Sequence, residues 1–122
     1  MAGDQTRRVR KLNDSFRIRI LDNGLGQSEK VPGTFVMTAG IAGLEARDQT
    51  LIWREVGRFA SFNEDNDPYG EHDFGKITWS GVGDIFWKID IYADASCTWG
   101  SEHPEDPERS YRVLTVMLAE EY

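Results

Sequence analysis

Eight residues near the C-terminus, Tyr111-Arg112-Val113-Leu114-Thr115-Val116-Met117-Leu118, constrain the fold more than any other segment. The run is rich in strand-favouring side chains and is apolar at both odd and even positions. Because a strand shows one parity to each face of its sheet, this run predicts a central strand covered on both sides. Residues 76–79 and 85–92 flank Ser80-Gly81-Val82-Gly83-Asp84, a turn signal that predicts a hairpin. Within the second arm, period two puts Phe86, Lys88, Asp90 and Tyr92 on one face and Trp87, Ile89 and Ile91 on the other. Residues 34–38, entered through Pro32-Gly33, predict a further strand.

Two segments carry helical periodicity instead. Val9, Leu12, Phe16 and Ile20 recur at intervals of three and four, which predicts a helix over 5–21 with arginines around a narrow apolar stripe. Residues 16–20 also alternate with period two, so a strand there stays open. Asp48 is a plausible N-cap for a second helix through about Phe62, with Leu51, Ile52, Val56, Phe59, Ala60 and Phe62 on one half of its wheel and Arg54, Arg58 and Ser61 opposite. Together these predict a single domain over 1–122, of α+β class, with an antiparallel sheet of about four strands packed by two helices.

Composition narrows the partners. Fourteen Lys and Arg against 21 Asp and Glu give a net charge of -7, which disfavours a general nucleic-acid binder or a protein of anionic membranes. The total conceals an asymmetry: residues 1–20 hold six basic and two acidic side chains, net +4, so the other 102 residues carry -11. The basic stripe from Arg7 to Arg19 could meet nucleic acid, an acidic partner or the chain's own acidic loops. No window approaches a membrane span, and the N-terminus lacks an apolar signal core. Cys97 is the only cysteine, which excludes an intrachain disulfide and fits a reducing cytoplasm.

The acidic residues are concentrated. Glu64, Asp65, Asp67, Glu71 and Asp73 lie in one polar stretch and Glu102, Glu105, Asp106 and Glu108 in a second, so two windows hold nine of the 21 acids without a Lys or Arg. Each window also holds one of the two histidines, His72 and His103. Imidazole with carboxylates suits a transition metal, so His72 and His103 are the candidate ligands. No spacing signature supports them: an EF-hand count from Asp65 puts Tyr69 fifth and Lys76 twelfth, where ligands belong. Glu71, His72, Asp73, Lys88 and Asp90 are candidate acid–base groups for a small metal-assisted hydrolase or nuclease. Of the four tryptophans, Trp53, Trp79 and Trp87 fall in predicted elements, whereas Trp99 beside the second acidic stretch is the candidate exposed anchor.

The runs 66–75 (NDPYGEHDFG), 86–92 (FWKIDIY) and 112–122 (RVLTVMLAEEY), with 12–17 and 37–41 earlier, resemble a bacterial family catalogued as domain of unknown function 3768. That resemblance implies small proteins of proteobacterial chromosomes and plasmids and supplies no activity or catalytic residue. Around 80–84 and 93–98 the chain departs from the family's usual form. The leading expectation is a non-enzymatic, cofactor-free binding or inhibitor protein that turns Glu64, Asp65, Asp67, Glu71, Asp73, Trp99, Glu102, Glu105, Asp106 and Glu108 toward a basic protein partner. An anti-defence, anti-CRISPR-like product of a mobile element is its narrow form. The alternatives are the hydrolase or nuclease and a homo-oligomeric structural protein.

Overall fold

The computed structural model describes residues 3–22 and 30–122 of the chain. Residues 23–28, Asn-Gly-Leu-Gly-Gln-Ser, are a cluster of turn formers that predicts a loop, and they lie outside the described residues. Along the chain run helix α1 (Asp4–Asp22), strand β1 (Gly33–Met37), a short helix α2 (Ala39–Ala42) and helix α3 (Ala46–Arg58). Strands β2 (Phe74–Trp79), β3 (Gly83–Tyr92) and β4 (Tyr111–Leu118) follow, and a 3-10 turn (Ala119–Glu121) closes the chain. The sheet order is β1-β4-β3-β2. The fold is therefore α+β with four strands, and the sheet is mixed: β4 pairs antiparallel with β3 but parallel with β1.

Residues 16–20 are helical, not extended. Val9, Leu12 and Phe16 are fully buried, and Phe16 stacks on Phe35 of β1 with ring centroids 4.5 Å apart. The stripe buried by α1 covers β1, β4 and β3 in turn, through Phe16 on Phe35, Asn13 on Arg112 and Arg17 over Trp87. Burial of such side chains contributes about 2 kcal/mol each, which outweighs the local alternation of residues 16–20.

Helix α3 begins and ends earlier than the expected 48–62. Glu45 is the extended residue before it, and Asp48 sits in the first turn, where its carboxylate accepts a hydrogen bond from Trp79 Nε1 at 3.3 Å. At the other end Arg17 Nη1 donates to the carbonyl of Val56 (3.0 Å), which also accepts from the Phe59 amide at 3.2 Å, and to that of Gly57 (3.1 Å), in the turn where helical carbonyls run out of amide donors. A cation at a helix C-terminus also complements its dipole. Phe59 and Phe62, released from the helix, pack edge-on against Trp87.

A second correction concerns β4. It is central, as expected, but only its even positions, Arg112, Leu114 and Val116, lie beneath the helices. Tyr111, Val113, Thr115 and Met117 line a concavity on the opposite face, where Met117 is buried and the other three are half-buried, and among the described residues neither α1 nor α3 lines it. Strand β3 follows its alternation: Ile85, Trp87 and Ile89 are in the core, while Lys88, Asp90 and Tyr92 line the open face. The hairpin turn is as expected, with Gly81 at φ 81 and Gly83 at φ 113 supplying left-handed backbone.

Candidate functional site

Helix α1 draws the two acidic stretches together. Gln5 donates to Glu105 in the second loop at 2.8 Å. Further along the same helix Arg10 donates to Gly70 O at 3.3 Å, Asn13 Nδ2 to Glu71 O at 2.9 Å, and Asp14 meets His72 Nδ1 at 2.9 Å, all in the first loop. Asn13 also faces the other way, accepting from Arg112 Nε at 2.6 Å. Arg112 Nη2 then donates to Pro104 O at 2.8 Å and Nη1 to Ser110 Oγ at 3.0 Å, both in or beside the second loop. A continuous hydrogen-bonded path thus runs from Glu71 through Asn13 and Arg112 to Pro104.

Asn13 and Arg112 are both fully buried. Burial, together with the charge of Arg8, pushes the Arg112 guanidinium down to about 10, and Glu71 partly offsets this. Burial likewise raises the Glu71 carboxyl above the usual range, reinforced by Asp73 and Asp67. Asp73 is raised for the same reason, with Asp67 and Asp90 adding repulsion. The first loop is therefore a place where negative charge is crowded.

Each loop also braces itself. Asn63 Oδ1 accepts from the amides of Asp65 (2.8 Å) and Asn66 (3.1 Å), and Asp67 Oδ1 accepts from the His72 amide at 3.0 Å. His72 adopts φ 55, and its ring stacks on Phe62 with centroids 3.8 Å apart. In the second loop Asp106 accepts from the Glu108 amide at 2.9 Å and pairs with Arg109 Nε at 3.1 Å. Asp67 and Asp106 thus hold their loops in shape. Glu64, Asp65, Glu102 and Glu108 remain exposed, and each loop region carries one large exposed aromatic, Tyr69 (80%) and Trp99 (77%).

The sequence-derived catalytic set is divided between two places. Glu71, His72 and Asp73 sit with Asp67 and Asp14 beside α1, whereas Lys88 and Asp90 pair at 3.0 Å on the open sheet face. Both His72 nitrogens face carboxylates, Asp14 at 2.9 Å and Asp67 at 3.6 Å, while His103 lies 3.9 Å from Glu105. Among the described residues no three His, Cys, Asp or Glu side chains come together in a group that could hold a metal ion.

Sequence reasoning missed Asn13, Asp14 and Arg112. An asparagine and an aspartate in a helical stripe and an arginine in a strand read as surface residues. The only available signal was that Arg112 interrupts an otherwise apolar parity.

Residues 37–121 match the family described as protein of unknown function DUF3768. The chain belongs to the DUF3768 family. The match spans α2, α3, β2, β3 and β4, and so takes in both acidic loops and the strand that carries Arg112. No curated protein and no solved structure matches the chain. No described helix is long and apolar enough to cross a membrane.

Proposed function

We propose that this DUF3768 protein is a non-enzymatic binding protein that offers its two acidic loops, as one preformed surface, to a basic protein partner. The supporting observation is the buried Asn13–Arg112 link, which fixes loops thirty residues apart against one helix. Ordering them in advance removes an entropic cost that mobile loops would otherwise incur on binding. The exposed Tyr69 and Trp99 are of the residue types that anchor protein interfaces, and the exposed carboxylates around them supply steering and rim contacts. The basic stripe of α1 is partly used internally, since Arg10 and Arg17 hold backbone carbonyls of the first loop and of α3.

The narrower form of this reading is an inhibitor of a nucleic-acid-handling or defence enzyme, encoded on a mobile element. Such enzymes hold phosphates with Lys and Arg, and an acidic surface can occupy the same residues. The test is charge reversal confined to acids that hold no loop in place, Glu64→Lys, Asp65→Lys, Glu102→Lys and Glu108→Lys together. Partner recovery in pull-downs should fall steeply with salt for the wild-type chain and be lost in the variant. Unchanged recovery by a folded variant would sink the proposal.

The hydrolase reading has less support. Its acid–base set is spread over two regions, and His72 is held between Asp14 and Asp67.

A further inference from the structure

The open sheet face is a trough and not a plane. Its floor is made by β1, β4 and β3, the segment carrying Ala95 and Cys97 stands at one end, and Glu121 and Tyr122 stand at the other. The concavity, open to solvent along its length, is about 690 Å³, within the range of small-ligand sites. The odd positions of β4 from Tyr111 to Met117 run along it, a length of roughly 20 Å at the rise of a strand.

The chemistry of the lining selects among ligands. Six of its fourteen residues carry hydroxyls: Thr34, Thr38, Tyr92, Tyr111, Thr115 and Tyr122. Thr34 and Tyr111 bond to each other and Thr38 to Glu121, but the hydroxyls of Tyr92, Thr115 and Tyr122 make no hydrogen bond with any described residue. The charged groups cancel or are engaged. Lys88 pairs with Asp90, and the Glu121 carboxylate accepts from the Thr38 hydroxyl and from the amides of Gly40 and Leu118. The phenols of Tyr92 and Tyr122 lie within electrostatic reach of the Lys88 ammonium, so donors and acceptors gather at mid-trough. Val36, Val113 and Met117 provide apolar floor between them.

The trough's fixed charges, Lys88 against Asp90 and Glu121, sum to -1 on a chain of net charge -7, which does not attract a polyanion, and both carboxylates already have partners within the protein. An elongated neutral polyol satisfies all these features: its hydroxyls both donate and accept, matching Lys88, Asp90 and the free phenols, and its apolar ring faces can rest on tyrosine rings and the aliphatic floor. We propose that the open-face trough binds a neutral linear oligosaccharide, with Lys88, Asp90 and Tyr92 as its principal polar contacts. This site shares no lining residue with the acidic-loop surface.

The test is titration calorimetry of the full chain with cellohexaose, maltohexaose and chitohexaose at up to millimolar concentration, followed by amide chemical-shift mapping. At least one should bind, with shifts centred on Thr34, Lys88, Tyr92 and Thr115. Asp90→Asn, which keeps size and shape, and Tyr92→Leu should each weaken binding by about tenfold, whereas the acidic-loop charge-reversal variant should bind as the wild type does. Circular dichroism identifies any variant that fails to fold, and the mapping on the wild-type chain then carries the test alone. No binding of any of the three, shifts centred elsewhere, undiminished binding by folded Asp90→Asn and Tyr92→Leu, or a self-associated chain in which the saccharides compete for nothing, would each overturn the proposal.

Discussion

Arg112 brings a full charge into the space between α1 and the sheet without a carboxylate directly against it. Its compensation is neutral and oriented: a side-chain amide oxygen, a hydroxyl and a carbonyl. Such an arrangement is costly to break from one side, because the remaining partner stays buried and unpaired. Asn13→Leu should therefore destabilise the protein by about 2–4 kcal/mol, read from urea denaturation, and should also loosen the first loop by releasing Glu71 O. A loss under about 0.5 kcal/mol would mean that water or a shifted side chain takes over. At the same scale, Glu71 and Asp73 are raised by burial and mutual repulsion. A carboxyl raised in the folded state favours folding below its unfolded value, and that contribution is lost as pH rises through the folded value. Asp73→Asn should accordingly raise stability at neutral pH, by under about 1 kcal/mol after solvent screening of a partly exposed group, and flatten the decline that sets in as pH rises past the ordinary aspartate value. Thermal melts from pH 4 to pH 8 would show an unchanged slope if this is wrong.

At the scale of elements, β2 and α3 meet where Gly75 leaves no room. A Cβ there would stand 2.3 Å from Trp87 Nε1 and 2.8 Å from Phe59 Cε1, both held in the aromatic cluster beneath the helices. Gly75→Ala should cost about 1–3 kcal/mol despite the better strand propensity of alanine, and urea denaturation with near-ultraviolet dichroism of Trp87 would register it. This contact shows what sequence does and does not disclose. The stripe Val9, Leu12, Phe16 and the alternation of β3 were legible because each rests on local periodicity, and both elements bury the faces that periodicity assigns. The end of α3 was not legible, because Arg17, some forty positions earlier, completes its last turn. Nor was the open side of β4, since an apolar parity reads the same whether a helix or a solvent-filled trough lies above it. For the candidate site, the acidic windows stood out in the composition, but the link that joins them consists of two residues 99 positions apart.

At the scale of the whole molecule, the family match begins at residue 37, beyond α1 and nearly all of β1. Yet Val9, Leu12, Phe16 and Val31, which precede it, are among the fully buried side chains of the core. At roughly 2 kcal/mol each they contribute about 8 kcal/mol, comparable with the whole net stability of a domain this size. Their loss would be compounded by others. Removing α1 strands Arg112 Nε without Asn13, removes the cation at the end of α3 and exposes the helix-side face of β4. Removing β1 leaves β4 as an unprotected edge strand, which invites pairing between chains. A fragment of residues 37–121 should therefore be unfolded or aggregated at concentrations where the full chain is monodisperse, as judged by amide proton dispersion and sedimentation. A folded fragment would show that α1 decorates an independently stable sheet. It would also weaken the acidic-loop proposal, which depends on α1 to hold both loops.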